Sequence, residues 1–256
     1  MTQQTYAQVP GNVLQHLYIN GCTPSYTSTT TVTIGAGQVR DSTDSFDIAI
    51  NAPLVINFAV NGVNGLDTGS FAANTGYYLF DLYDQSQTNP PQAVASLSPT
   101  APLMPSLNGV TFSHFRLVGW VLSDGSTHLL PFYIANGGSN PFYQWDAPIN
   151  VLTSGAGTTP TTVSLATAVP SANFGLVQID AVYTPHAAGE TASLKPAAAT
   201  NFTFPMYGVV ASVAQSNLFN IVPTLSGGNP SISYEVSVGT SPAALHLLVT
   251  GFWMSL

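Results

Sequence analysis

The residues that could do chemistry in this chain are few, and they are densest in the segment GQVRDSTDSFDIAI, residues 37–50. Arg40 and Asp41 are adjacent there, and Asp44 and Asp47 follow at intervals of three residues. Clustered carboxylates can bind a calcium ion or act as acid and base, and they can also organise a turn. We therefore consider this segment as a metal loop, as an acid–base site and as the turn that leads into a strand.

The spacing of these acids favours the turn. A calcium-binding EF-hand loop places acids at alternate positions and contains a glycine, whereas here the acids recur every third residue. On an extended chain Asp41 and Asp47 share a face and Asp44 points away, so the three converge only if the chain bends. Asp and Ser side chains also bond their own backbone. We predict a turn over residues 41–44, locked by an ion pair of Arg40 with Asp41 or Asp44, and then a strand.

No familiar catalytic motif is present. The sequence lacks the nucleophile elbow G-x-S-x-G, the zinc motif H-E-x-x-H, the P-loop and the dinucleotide-binding glycine motif. Two pairs of acids, Asp81 with Asp84 and Asp180 with Glu235, have the chemistry of a glycosidase. Eleven acids make some chance pairing common, and solvated acids at strand ends are the simpler interpretation. We predict a protein that is not an enzyme, with no cofactor and no bound metal.

The five histidines do not change that prediction. They are scattered, and none has a neighbour at the spacing of metal ligands. We interpret them as surface or interface residues: His16, His114, His128, His186 and His246.

Aromatic side chains offer a second kind of site, because a ring can stack on a sugar. The segment FYQWD, residues 142–146, combines aromatic rings with an acid. Tyr143 and Trp145, with Tyr183 farther along the chain, are the candidate contacts for a glycan or a partner protein. Phe142 and Trp145 could equally fill the space between two modules, and we favour that interpretation for them.

The charge composition excludes several partners. Only 5% of the residues are charged, Lys and Arg total three, and the formal net charge is −8. Binding to nucleic acid or to an anionic membrane surface requires many cations, so we exclude both partners. Natural proteins protect the edges of their sheets with lysine, and this chain has one lysine, Lys195. We therefore expect neighbouring subunits to cover its strand edges.

The pattern of apolar residues predicts the fold class. Apolar residues alternate with a period of two in TSTTTVTI (residues 27–34), SFDIAI (residues 45–50) and GYYLFDLYD (residues 76–84), as in half-buried strands. Turn residues recur about every dozen positions, which is typical of sandwiches and jelly rolls. Asn64-Gly65 and Asp124-Gly125 are candidate hairpin turns. With 45% apolar residues and a single cysteine, Cys22, the chain needs no intrachain disulfide to fold.

We predict an all-β protein of antiparallel β-sandwich or jelly-roll modules, two in tandem. Residues 1–26 are irregular in pattern and are predicted to be an N-terminal docking arm. The glycine- and proline-rich stretch near residue 140 marks the boundary between the modules. The first module is then residues 27–140 and the second is residues 141–256.

Residues 27–135 resemble a known module. The run Gly-x-x-Arg-Asp-Ser at residues 37–42, the turn Asn-Gly-Leu-Asp-Thr-Gly at residues 64–69 and the pair Arg116 and Gly119 are its landmarks. This module is found in virion structural proteins of tailed bacteriophages, where such proteins are labelled tail-fibre, head-fibre or decoration proteins. The second half looks like the β-sandwich ends of similar phage proteins.

The resemblance implies a location in the virion and no catalytic residues. It implies assembly of the chain with itself, with a homotrimer as the expected form, and with other virion proteins of the capsid, collar or tail. The alternative function is a receptor-binding module of a phage fibre that holds a host-surface glycan.

Overall fold

A computed structural model describes residues 18–200, 204–237 and 244–256, and all regular secondary structure in those ranges is β-strand. Within them no helix has the length and apolar character needed to cross a membrane. The strands, in chain order, are β1 (Ile19–Gly21), β2 (Pro24–Ser28), β3 (Thr31–Ile34), β4 (Gly37–Arg40), β5 (Asp47–Ile50), β6 (Leu54–Asn57), β7 (Gly76–Tyr83), β8 (Gln92–Ser96), β9 (Ser106–Leu107), β10 (Val110–Thr111), β11 (His114–Leu122), β12 (Phe132–Ala135), β13 (Phe142–Gly155), β14 (Thr161–Ser164), β15 (Phe174–Thr184), β16 (Thr191–Pro196), β17 (Phe204–Tyr207), β18 (Gln215–Ile221), β19 (Thr224–Ser226), β20 (Asn229–Val236) and β21 (Ala244–Met254).

The first half of the chain contains three antiparallel sheets of three strands each. Their orders are β1-β4-β5, β2-β3-β6 and β11-β7-β8, and a short β9–β10 hairpin lies between β8 and β11 in the chain. Strand β3 shows the predicted alternation, with Val32 and Ile34 buried between partly exposed threonines. The rings of Phe58 and Tyr77 meet edge to face at 5.3 Å, which joins the end of β6 to β7.

The second half is a sandwich of two antiparallel sheets. One has the order β12-β13-β21-β15-β18, and the other has the order β14-β20-β16-β17 with β19 beside β20. On β15 every second side chain, from Val177 to Tyr183, is buried in the core, and the residues between them face outward. The all-β, antiparallel sandwich class predicted from the period-two pattern is therefore confirmed.

Part of the predicted N-terminal docking arm, residues 1–26, belongs to the folded body. Strands β1 and β2, within residues 19–28, pair with β4 and β3, so residues 19–26 belong to the folded body. These two strands have only three and five residues, so their pattern of apolar and polar residues is too short to distinguish them from an irregular segment. They are recognised as strands only by their pairing with β4 and β3. The rest of the predicted arm, residues 1–17, lies outside the described residues.

The predicted module boundary falls inside a β-hairpin. Strand β12 pairs with β13 in the register Phe132 with Trp145 to Ala135 with Phe142, so residue 140 lies in the turn between them. The Asp124-Gly125 turn does form, because Asp124 N donates to His128 O at 2.7 Å. After this turn β12 leaves β11 and becomes the edge strand of a sheet in the second half. The sheets therefore do not divide at residue 140.

The Asn64-Gly65 turn does not join two paired strands. It lies in the loop between β6 and β7, and this loop covers the outer edge of β8 instead. Asn64 N donates to Ala93 O at 2.7 Å, and Ala95 N donates to Gly65 O at 2.9 Å. The Asn64 side chain also accepts a hydrogen bond from Ala93 N at 3.1 Å. This edge is thus protected within the chain.

Candidate functional site

The loop that joins β4 to β5 is organised around the carboxylate of Asp41, which is fully buried. Its Oδ1 accepts hydrogen bonds from the backbone N–H groups of Ser45 at 2.7 Å and Phe46 at 2.8 Å, and its Oδ2 accepts one from Thr43 Oγ1 at 2.6 Å. Burial opposes the charge of Asp41, but these hydrogen bonds and one from His114 outweigh it and lower its pKa to about 2. The predicted turn is therefore built on the Asp41 side chain.

Arg40 pairs with other acids of the same loop. Its Nε lies 3.2 Å from Asp44 Oδ1 and its Nη1 lies 2.9 Å from Asp47 Oδ1. Tyr18 Oη donates to the same oxygen of Asp47 at 2.9 Å. Of the two predicted partners, Asp44 binds Arg40, whereas Asp41 accepts hydrogen bonds from the loop and from His114. Among the described residues no group of three or more His, Cys, Asp or Glu side chains is arranged to hold a metal ion.

His114 fastens this loop to β11. Its Nδ1 lies 3.0 Å from Asp41 Oδ2, and its ring lies 4.1 Å from the ring of Phe46. Arg116, two residues farther along β11, is also buried; burial lowers the pKa of its guanidinium, and the charges of Asp41 and Asp44 act in the opposite direction. Because Asp41 has no exposed surface, its carboxylate holds two pieces of the fold together and is closed to a solute, whereas Asp47 of the same loop is exposed.

The predicted acid pairs do not form a glycosidase site in this geometry. Asp81 is fully buried, and Asp84 caps its own loop by accepting hydrogen bonds from Ser86 N at 2.9 Å and from Asn89 N at 3.1 Å. Asp180 lies on β15 and accepts a hydrogen bond from Ser216, whereas Glu235 lies on β20 in the other sheet. Neither pair presents two accessible carboxylates to one cleft.

Asp81 has an unusual environment for an acid. It lies on the central strand β7 with no exposed surface, and neither of its carboxyl oxygens has a hydrogen-bond partner. Burial raises its pKa well above the ordinary value, and burial followed by the adjacent Asp81 raises the pKa of the Cys22 thiol. Burial therefore favours the protonated form of Asp81.

The three aromatic residues predicted to contact a glycan or a partner are buried. Tyr143, Trp145 and Tyr183 are at most 3% exposed, so none presents a ring face to a ligand, and that expectation is corrected. The physical reason is the alternation of a strand, which places every second residue in the core. Sequence alone does not show which of the two faces is inside.

Tyr143 and Trp145 belong instead to an aromatic cluster between the two halves. The ring of Trp145 lies 6.1 Å from that of Trp120 on β11, and Tyr143 stacks on Phe252 of β21 at 5.0 Å. Both polar atoms are satisfied, since Tyr143 Oη accepts from Trp120 N at 3.2 Å and Trp145 Nε1 donates to Ala168 O at 3.2 Å. Trp145 thus occupies the space between β11 and the sheets of the second half.

Exposed apolar side chains are concentrated in residues 207–225 of the second sandwich, which run from the end of β17 through β18 to β19 and which we call the open side. Seven of the thirteen large apolar side chains that are exposed in the described residues lie between residues 207 and 225. Strands β17 and β18 are edge strands of the two different sheets, and their rings Phe204 and Phe219 are 5.6 Å apart. The seven side chains are Tyr207, Val209, Val210, Val213, Leu218, Val222 and Leu225.

Sequence reasoning missed two further features of the surface. The open side follows from the fact that residues 204–226 contain no Asp, Glu, Lys or Arg, a signal that was visible in the sequence. Tyr133, which is 61% exposed, is the second feature, and its Oη donates to Asp146 Oδ1 at 3.1 Å. Asp146 is the acid of the FYQWD segment, so that segment does contribute to the surface, but through its acid.

Comparison with known proteins gives this chain no family. No protein-family model matches the sequence, and no curated protein matches it. Partial likeness to solved structures is found for the exo-β-1,3-galactanase of Phanerochaete chrysosporium with galactose, at 12% identity over 92% of this chain and 69% of that chain, with a TM-score of 0.23.

Two further structures show a similar degree of likeness. One is infectious bursal disease virus, Gx strain, at 15% identity over 93% of this chain and 66% of that chain, with a TM-score of 0.22. The other is a tryptic core variant of Bacillus thuringiensis Cry1Da, at 7% identity over 93% of this chain and 51% of that chain, with a TM-score of 0.20. At such TM-scores the all-β fold class rests on the strands of this chain itself.

Proposed function

We propose that this chain is a non-enzymatic structural component of a bacteriophage virion, of the decoration, head-fibre or collar and tail-fibre type. In this proposal copies of the chain assemble into a closed homo-oligomer, with a trimer as the expected form, and the open side is the surface that a neighbouring copy covers. The observation that carries the proposal is β18, an uncharged edge strand surrounded by exposed apolar side chains.

The edge of β18 lacks the usual protection against pairing. Exposed edge strands in natural proteins carry lysine, proline or bulges, or are covered by a loop. Strand β17 has Pro205, which cannot donate to a new partner strand. The seven residues of β18, QSNLFNI, contain neither proline nor charge, and they pair with β15 without a bulge. An uncovered strand of this composition would aggregate, so a defined neighbour is the physical alternative.

Two other edges of the fold, those of β8 and β11, are contacted from within the chain. The loop around Asn64 covers β8, and Ser42 N donates to Phe115 O at 2.8 Å on the edge strand β11. Neighbouring copies are therefore not needed at β8 and β11, and the proposal places the subunit contact at the open side.

The composition and the resemblance of residues 27–135 support the virion part of the proposal. A surface of Ser, Thr, Asn and Gln with 5% charged residues suits permanent contact with other proteins. The landmarks of that resemblance are structural in this fold: Arg40 and Asp41 organise a loop, Asn64 covers an edge, and Gly119 lies against Tyr143.

The oligomer is tested by the native mass of the purified chain and of two variants. Leu218 on β18 and Leu97 after β8 are similarly exposed, at 59% and 56%. Leu218→Lys places a charge on the open side, and Leu97→Lys is the matched control. We expect a trimer for the wild type and the control, and a monomer for Leu218→Lys, by native mass spectrometry. A wild-type monomer, or equal masses for all three proteins, would contradict the proposal.

The location in a virion is tested separately. Particles purified by density gradient from the phage that encodes the chain should contain its peptides, at a copy number that is a multiple of the oligomer. Absence of the chain from intact particles would refute the virion assignment even if the oligomer exists.

A further inference from the structure

A groove lies between two edge strands that run side by side without pairing. Strand β2 belongs to a sheet of the first half and β12 to a sheet of the second half, and the two strands are not paired with each other. At one end Leu129 N donates to Thr29 O at 2.7 Å, and at the other end Gly137 packs against the side chain of Thr23. Between these two contacts the strands leave a groove of about 560 Å³.

The lining of the groove is aromatic and hydroxylic. It is formed by residues 23–26 of one wall and residues 131–134 of the other. Tyr26 is half-buried, and Tyr133 exposes 61% of its surface. Ser25 on the same wall as Tyr26 is exposed. None of the described residues that line the groove is a lysine or an arginine.

The ring of Tyr133 is held in place. Its Oη donates to Asp146 Oδ1 at 3.1 Å, and Asp146 N donates to Pro131 O at 3.1 Å, so the acid is itself anchored to the wall that carries the ring. Asp146 does not line the groove: it lies on β13, on the side of β12 away from β2. It is exposed, and its second oxygen, Oδ2, remains able to accept a hydrogen bond from a ligand that extends across Tyr133. A fixed ring beside a fixed acceptor is the kind of arrangement that lowers the entropy cost of binding.

These features select a class of ligand. A flat ring offers a face to the C–H side of a sugar, while a carboxylate and nearby hydroxyls accept and donate hydrogen bonds to sugar hydroxyls. The absence of cations disfavours sialylated or sulfated glycans. The volume of the groove lies within the usual range of small-ligand sites, and such sites also combine aromatic walls with a few polar groups.

An extended peptide fits these walls poorly. Strand addition needs a continuous row of free backbone donors and acceptors. The wall formed by β2 contains Pro24 and an irregularity between Tyr26 and Ser28, and the other wall contains Pro131. Proline removes a donor and a bulge breaks the register, so neither edge is a good template.

We propose that the groove between β2 and β12 binds a neutral oligosaccharide, with Tyr133 as the stacking ring and with Asp146, which lies outside the groove beside Tyr133, as the acceptor for hydroxyls of a sugar unit that extends past this ring. This site is distinct from the open side and does not depend on the oligomer. It assigns glycan binding to residues other than the buried Tyr143, Trp145 and Tyr183.

The test uses the full chain on a printed array that carries neutral, sialylated and sulfated glycans. The neutral glycan that binds best is then measured by calorimetry with four proteins: wild type, Tyr133→Ala, Asp146→Asn and the control Tyr207→Ala. Tyr207 is 64% exposed but lies on β17, away from the groove. We expect at least an about tenfold loss of affinity for Tyr133→Ala, a smaller loss for Asp146→Asn and no change for Tyr207→Ala.

Several outcomes would overturn this proposal. They are no binding to any neutral glycan by a protein that melts cooperatively, a preference for anionic glycans, or full affinity in Tyr133→Ala. Because Tyr133 is exposed, thermal melting should show that its variant stays folded. The monomeric Leu218→Lys protein should still bind, which separates a failure of this proposal from a failure of the proposed oligomer.

Discussion

His114 Nδ1 lies 3.0 Å from Asp41 Oδ2, and this contact joins the loop after β4 to strand β11. Asp41 also receives hydrogen bonds from Thr43, Ser45 and Phe46, so one buried carboxylate holds both the loop and its attachment. Asp41→Asn keeps the size of the side chain but replaces a charged acceptor by an amide. We expect a loss of about 2 kcal/mol in the free energy of unfolding.

This loss is measured by urea unfolding near neutral pH, with Asp146→Asn as the control. Asp146 is exposed, and its hydrogen bond to Tyr133 is also exposed, so its variant should differ little from wild type. Equal stabilities of Asp41→Asn and the control would show that the Asp41 network contributes nothing to folding.

The same carboxylate predicts a specific response to acid. The pKa of Asp41 is about 2 in the folded chain, below its ordinary value of 3.8, so the folded state holds the proton less tightly than the unfolded state does. Its contribution to stability is therefore complete above about pH 4 and is lost as the pH falls through about 2. Unfolding at a series of acidic pH values should show the gap between wild type and Asp41→Asn closing over that window. A gap that does not change with pH would mean that the charge of Asp41 is not what stabilises the loop.

Asp81 predicts the opposite sign. Its pKa is raised in the folded chain, so the native state keeps a proton that the unfolded state loses. The contribution of Asp81 to stability should be complete below about pH 4 and should fall as the pH rises towards the folded pKa. In Asp81→Asn that fall should disappear, and denaturant unfolding from pH 4 to pH 8 measures it.

The prediction for Asp81 would be contradicted if its substitution did not change how stability depends on pH. If wild type and Asp81→Asn keep parallel stability curves over the whole range, the native state holds no extra proton at Asp81, and burial does not set the charge of this carboxyl group.

The sequence predicted local features well and long-range pairing poorly. The alternation in β3 and β5 and the turn at Asp41 follow from neighbours in the chain, so periodicity and turn chemistry are enough to find them. The same pattern located β7, but the prediction that β7 is half-buried is wrong, because residues 77–82 are buried on both faces of the sheet. The partner of β12 was not found from such signals: the Asp124-Gly125 turn forms, yet β12 pairs with β13 across residues 136–141, where a module boundary was predicted.

The site residues show where local reasoning ends. The period-two pattern of a strand predicts that Tyr143 and Trp145 lie on the same face of β13, but it does not predict that this face is buried in the core. Only the packing of Trp120 and Phe252 against them decides it. Asp146, on the opposite face of β13, reaches the surface as a direct consequence.

Gly119 is required by a close approach between the two halves. A Cβ atom there would lie 2.5 Å from Tyr143 Oη and 2.6 Å from Pro24 Cγ, closer than such atoms can be. Gly119→Ala should therefore lower stability by about 1–3 kcal/mol, because the buried neighbours have to shift. At Gly125 the nearest atoms, in Asn74, are 3.8 Å away, so Gly125→Ala is a matched control that should leave the melting temperature almost unchanged. Equal melting temperatures for the two variants would show that the contact with Tyr143 relaxes at no cost.

Trp145 tests whether the two halves fold as one unit. It contacts Trp120 of the first half and Phe252 of the second, and it is only 3% exposed. Since the halves share this cluster and the β12–β13 hairpin, calorimetry of the wild type should show a single cooperative transition. Trp145→Ala should remove about 3–5 kcal/mol by leaving a cavity between the halves.

The shape of the calorimetric melting transition of Trp145→Ala shows whether the aromatic cluster couples the two halves. If the cluster couples the halves, Trp145→Ala should separate the melting of the first half from that of the second, with all proteins compared at one concentration because assembly also shifts the melting temperature. Two transitions in the wild type itself would show instead that the halves are independent modules. The aromatic cluster would then be a contact between finished modules, and the burial of Trp145 would contribute little to the stability of either one.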